Sequence, residues 1–169
     1  MLSRPSSLLW LLALLGLALV GCEKPSPPKI KPESVEVKKV DADALTVEVT
    51  LDAHNKNSVP LYARSVKARI KLNQKIDLGE VEVATKVTLP AKKHTTIVAP
   101  LTLKWKDVIA IGLMAATTPT IPFTVEGTAE VGTDDFNFEV PFETEGTLTR
   151  EQLAAITTKA LPTIPKLPF

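Results

Sequence analysis

One cysteine in a chain of 169 residues excludes any intramolecular disulfide. Stability must therefore come from a packed core, and a chain of this length can build one unaided. Only two histidines are present, too few for a zinc site of three or four ligands at recognisable spacing. With Cys22 set aside for the reason given below, His54 and His94 remain, forty residues apart, the first on the polar parity of a strand and the second in a turn. No metal and no cofactor are expected. Gly-x-Ser-x-Gly elbows, phosphate loops and dinucleotide fingerprints are all absent. Charge of one sign is lacking too. Twenty basic residues face nineteen acidic ones, so there is no electrostatic footprint for nucleic acid and no polybasic run for a membrane. Aromatic residues make up only 5%, while Val, Thr, Ile and Leu dominate the middle of the chain, which favours strands.

The amino end is different. Arg4 precedes an apolar run, Leu8 to Leu15, followed by Gly16 to Val20 and then Gly21-Cys22. That layout is a secretory signal, too short and wrongly flanked for a membrane span. Leu19-Val20-Gly21-Cys22 resembles the lipobox of bacterial lipoproteins. The resemblance implies cleavage before Cys22 and acylation of its thiol. Each buried methylene contributes about 0.8 kcal/mol, and two or three chains anchor stably where one is marginal. Residues 1–21 are read as signal, and the membrane as a partner reached through lipid on Cys22. Glu23, next to the cysteine, is an ambiguous sorting residue. The expected location is the cell envelope, with the outer membrane facing the periplasm favoured over the inner membrane.

Four prolines within Glu23–Pro32 exclude a helix or a central strand there. Residues 22–33 therefore read as an extended tether. Alternation begins at Ser34. Val35, Val37 and Val40 mark a first strand. Leu45, Val47, Val49, Leu51 and Ala53 mark a second, with Thr46, Glu48, Thr50 and Asp52 on its other face. Val66, Ala68, Ile70 and Leu72 define a third, against outward Lys67, Arg69 and Lys71. In the fourth, Ile76 and Leu78 give way to Val81–Leu89 in the opposite parity, and the switch at Gly79-Glu80 predicts a bulge. Thr95–Leu103 makes a fifth. The spacing of Val108, Ile111, Gly112 and Ala115 predicts a helix, with Asp107 as its N-cap. Ile121–Val131 and Phe136–Phe142 then form a hairpin around Asp134-Asp135. Arg150–Lys159 has short helical character before a proline-rich end.

Seven short strands patterned on one side predict a mainly β fold: an antiparallel β-sandwich with one short helix between the fifth and sixth strands. The sandwich is assigned to residues 34–149, and residues 150–169 to a short helix and tail. Asp41, Asp43, Asp134 and Asp135 lack the ligand run of a calcium loop and read as turn residues. Glu143 and Glu145 read as a solvated face. Trp105 and the helix read as a lid over the end of the sandwich in preference to a membrane-touching element.

Within this pattern, Asn55-Lys56-Asn57-Ser58-Val59-Pro60-Leu61 follows an alternating strand. Leu101-Thr102-Leu103, Val125-Glu126-Gly127-Thr128 and Val140-Pro141-Phe142 come later. This set resembles the late-embryogenesis-abundant group 2 type, or water-stress and hypersensitive-response domain, over Val35 to Thr147. The family's motif is Asn-Pro-Asn, a spacer, then Pro and an aliphatic residue; Lys56 replaces its middle proline. The resemblance implies a seven-stranded sandwich, roles in desiccation and envelope stress, and no catalytic residues. Asn55, Asn57, Pro60 and Leu61 are its structural turn. The expected function is a non-catalytic, monomeric protective lipoprotein acting through structural or partner contacts. The alternative is a carrier of lipids or other hydrophobic ligands, which an exposed cluster of Val108, Ile109 and Leu113 or a continuous cavity would favour.

Overall fold

The computed structural model describes residues 24–153. Cys22, the signal and the rest of the tail lie outside the described residues. Seven strands run in order: β1 (Lys29–Val40), β2 (Ala44–His54), β3 (Leu61–Leu72), β4 (Ile76–Leu89), β5 (His94–Lys104), β6 (Thr120–Gly132) and β7 (Asn137–Thr149). The helix α1 (Val108–Thr117) lies between β5 and β6. A three-stranded sheet in the order β1-β2-β5 faces a four-stranded sheet in the order β4-β3-β6-β7. All pairings are antiparallel. β4 lies against β5 and β1 against β7, so the two sheets close on each other at both edges.

The alternation of β2 gives the sandwich its inner face. Leu45, Val47, Val49 and Leu51 are fully buried, opposite Leu103, Leu101, Ala99 and Ile97 of β5. From the other sheet, Val66, Ile70, Leu72, Phe123, Val125 and Leu148 complete the core. Each such side chain contributes about 1.5–3 kcal/mol on burial. The outward basic residues of β3 meet carboxylates on its neighbours. Lys67 reaches Glu80 at 3.1 Å, Arg69 reaches Asp77 at 2.8 Å and Lys71 reaches Glu126 at 2.8 Å. Pairs this exposed contribute little to stability and mainly solubilise the face.

The parity switch in β4 is a bulge. Ile70 pairs with Gly79 and Lys71 with Asp77, leaving Leu78 as the extra residue. Gly79 has φ of 99°, a left-handed geometry that glycine adopts without strain, and its amide donates to Asp77 Oδ1 at 2.7 Å. A different glycine serves packing. Phe123 of β6 lies opposite Gly146 of β7, and a Cβ at Gly146 would come within 2.4 Å of that ring.

Three boundaries differ from the sequence reading. β1 starts at Lys29, not Ser34, so residues 29–33 of the segment read as a tether are strand. Pro32 is accommodated because β1 is an edge strand and its register shifts between Pro32 and Ser34. β3 starts at Leu61; a register shift between Ala63 and Ser65 changes parity and hides Leu61 and Ala63 from a period-two pattern. β7 begins after Phe136, which sits exposed in the hairpin turn, and runs on to Thr149.

The strands define two ends, separated by the eleven residues of β2, roughly 35 Å. α1 closes the distal end. Asp107 Oδ1 accepts from the Ala110 amide at 2.9 Å, and Ile111, Gly112 and Ala115 are buried. Trp105 donates from Nε1 to the Asp41 carbonyl at 2.8 Å. Thr149 and Gln152 form a reciprocal cap that opens a helical turn at Arg150 and seats Leu153 in the core.

Candidate functional site

The proximal end, where the chain enters β1, is closed by polar groups. The β2–β3 loop carries Asn55 and Asn57, and the β4–β5 turn carries Pro90 to Lys93. Asn55 is completely buried, so its amide must find partners inside the protein. Its Nδ2 donates to the carbonyls of Val59 and Leu89, both at 2.9 Å. Its Oδ1 accepts from the backbone and side-chain nitrogens of Asn57, also both at 2.9 Å. The amide's full hydrogen-bonding capacity is used. Its backbone N–H donates to the Lys93 carbonyl at 3.0 Å. One side chain thus joins β2, the loop after it and the end of β4.

Asn57 extends the network to the amino-terminal segment. Its Oδ1 accepts from Ser26 N at 2.8 Å and Ser26 Oγ at 3.1 Å, and its Nδ2 donates to the Ser26 carbonyl at 2.9 Å. The chain entering β1 is therefore clasped to the base of the sandwich three residues before the strand begins. Lys92 has a positive φ of 59°, donates its amide to the Asn57 carbonyl and its Nζ to the Lys56 carbonyl. Pro60 is exposed and Leu61 fully buried. The four motif residues are brought together, but as a junction across three chain segments and not merely as a tight turn.

The histidines also meet. His94 opens β5 and is not in a turn; it lies opposite His54 of β2. The rings stack with centroids 4.1 Å apart and planes at 11°. Both oxygens of Asp52 contact His94 Nδ1, at 2.9 and 3.0 Å. Partial desolvation, then the neighbouring His94 and Lys56, hold the His54 pKa below the usual histidine range, against an opposing pull from Asp52. Sequence spacing hides this pair, because cross-strand register brings together residues far apart in sequence. Among the described residues, no group of three or more His, Cys, Asp or Glu side chains is arranged to hold a metal.

The aspartates stay apart. Asp41 caps the distal β1–β2 turn. Lys39, then the amides of Asp43 and Ala44, push its pKa down to about 2. Asp134 and Asp135 occupy the proximal β6–β7 turn, where Thr133 Oγ1 accepts from the amides of Asp135 and Phe136. Glu143 and Glu145 stand on the exposed face of β7. On α1, Ile109 and Leu113 are exposed while Val108 packs against the core. Among the described residues, no helix is long and apolar enough to cross a membrane.

Two sheets closed at both edges, with a clasped entry segment at one end and a helical lid at the other, define a small β-sandwich module. A family model described as late embryogenesis abundant protein matches residues 50–146, from within β2 to within β7. That is more than half of the chain, and the protein belongs to this family. None of the curated proteins matches the chain. Solved structures show the same fold. A solution structure of a candidate late embryogenesis abundant protein aligns with a TM-score of 0.57 at 17% identity, covering 86% of each chain. A solution structure from Arabidopsis thaliana gives 0.55 at 13% identity, covering 77% of this chain and 86% of its own. A crystal structure of a protein from Archaeoglobus fulgidus gives 0.55 at 16% identity, covering 70% of this chain and 97% of its own.

Proposed function

We propose that this protein is a non-catalytic, lipid-anchored module of the cell envelope that protects against desiccation or envelope stress through structural or partner contacts. The observation that carries this reading is the closed core of a late-embryogenesis-type sandwich. Its apolar residues are committed to packing, so any action on clients depends on folded shape and on where the domain is held. The lipobox ending at Cys22 supports the anchor, with the outer membrane favoured. The clasp on Ser26 would hold the domain at a fixed attitude to that anchor.

Exposed Ile109 and Leu113 favour a second reading, a carrier of hydrophobic ligands, because they offer an aliphatic surface at the distal end. The two readings separate in one experiment. A labile enzyme is dried with native protein and with the core-broken Val49→Asp variant at equal mass. Protection by native protein alone supports the first reading. Equal protection by both indicates nonspecific crowding. Protection by neither, with a stoichiometric lipid on the purified protein, supports the carrier. Labelled palmitate that still enters Cys22→Ser would contradict the anchor.

A further inference from the structure

Lysines scattered through the sequence converge at the proximal end. Lys24, Lys56 and Lys92 line one small recess of about 110 Å³, together with Ser26, Asn57 and Ser58. Lys93 adjoins Lys92 in the same turn, and Lys29 opens β1 opposite His54. None of these five lysines forms an ion pair among the described residues; Lys31, Lys75, Lys86, Lys104 and Lys106 are unpaired too, but Lys24, Lys56 and Lys92 share one recess. The carboxylate nearest to them on β2, Asp52, is already engaged by His94. At the same end, the β6–β7 turn of the other sheet carries Asp134 and Asp135. The five lysines thus stand on the entry segment, the start of β1 and the two loops that join the sheets, and none stands in the β6–β7 turn.

We infer that this lysine rim is a docking surface for the anionic headgroups of the bilayer holding the chain's amino end. The inference rests on the anchoring reading above. A chain spans at most about 3.5 Å per residue, so an acylated Cys22 lies within roughly 14 Å of Ser26. Ser26 is itself bonded to Asn57 inside the rim. An anchor on Cys22 therefore keeps the lysines close to the lipid surface, on a scale comparable with the Debye length of about 8 Å at physiological salt. Each lysine near such a surface favours association about fivefold. A lipid chain plus a basic patch is also the two-part attachment that stabilises membrane binding. The acidic hairpin sets the tilt, with the lysine-bearing segments towards the lipid and the β6–β7 turn away from it.

The test uses the full chain purified with whatever anchor the cell attaches. It is reconstituted in vesicles of phosphatidylcholine alone and of phosphatidylcholine with a phosphatidylglycerol minority. Amide exchange is followed in the 55–58 and 91–94 segments. Exchange there should slow several-fold in the anionic vesicles only. The effect should vanish at about 1 M salt, where the Debye length is ~3 Å. It should also vanish in Lys56→Gln/Lys92→Asn/Lys93→Gln and persist in the distal control Lys104→Gln/Lys106→Gln. A melting scan of each variant separates lost docking from lost fold. Equal exchange in both vesicle types, or slowing that survives in the triple variant, overturns the proposal. The intact mass reports the anchor separately. A chain without acyl groups counts against the anchoring reading, and it must still float with anionic vesicles alone at low salt, or the docking surface fails too.

Discussion

The two ends of the sandwich are sealed by opposite means. The distal end is closed with apolar groups: Ile111 and Ala115 of α1, Trp105, and Leu153 of the last helical turn are all buried. The proximal end is closed by a buried amide, Asn55, with four side-chain hydrogen bonds. An apolar lid tolerates repacking, because dispersion and burial have little directionality. A buried amide does not, since each bond lost leaves a group stripped of water. The polar seal therefore fixes one geometry, and it is the seal through which the chain enters. The difference suggests a stiff attachment at one end and an adaptable surface at the other.

Breaking the core that both ends share should have the largest effect. Val49→Asp places an unpaired charge where exposure is zero and should cost more than about 4 kcal/mol, enough to abolish a cooperative melt. Thr50→Asp, one residue along on the outer face, should be nearly neutral. Comparable losses in both would mean that the faces of β2 are misassigned.

Next is the polar seal. Asn55→Ala takes the side-chain amide donor from the Val59 and Leu89 carbonyls and should cost roughly 2–4 kcal/mol by denaturant titration. Asn55→Asp should be worse, because a carboxylate faces those two carbonyls in place of a donor. If Asn55→Asp were as stable as the native protein, the amide would not be bonded as described. On the distal side, Ile111→Ala should cost about 2–4 kcal/mol while leaving amide exchange around Ser26 unchanged.

The smallest effect is the pH dependence of the histidine stack. His54 is held below the ordinary histidine value, first by desolvation and then by His94 and Lys56. As pH falls through about 6.5, the unfolded chain takes up this proton before the folded one. Stability should therefore be full above that pH and decline modestly below it. His54→Gln should flatten this part of the profile, and an unchanged slope would show that other groups set it.

Much of the architecture was legible in local pattern. Strict alternation identifies β2, helical spacing identifies α1 together with its Asp107 cap, and the parity switch at Gly79-Glu80 falls next to the bulged Leu78. What was missed lies at irregularities or between strands. Pro32 argues against a strand unless the strand is known to be at an edge. The shift near Arg64 breaks the periodicity that would have revealed Leu61 and Ala63. The histidine stack and the lysine rim depend on cross-strand register, which places His54 opposite His94 and gathers Lys24, Lys56 and Lys92 from three segments. The asparagine motif was visible as a turn. Its reach to Ser26 and Leu89 was not, because those partners are 31 and 34 residues away.

The most direct test of the clasp is the exchange rate of the Ser26 amide, which donates to Asn57 Oδ1 at 2.8 Å. In the native protein this amide should exchange much more slowly than in an unstructured segment. In Asn57→Ala it should exchange freely, while the amides of β2 and β5 keep their protection and global stability falls by only about 1 kcal/mol. A Ser26 amide that exchanges at the unstructured rate in the native protein would contradict the account.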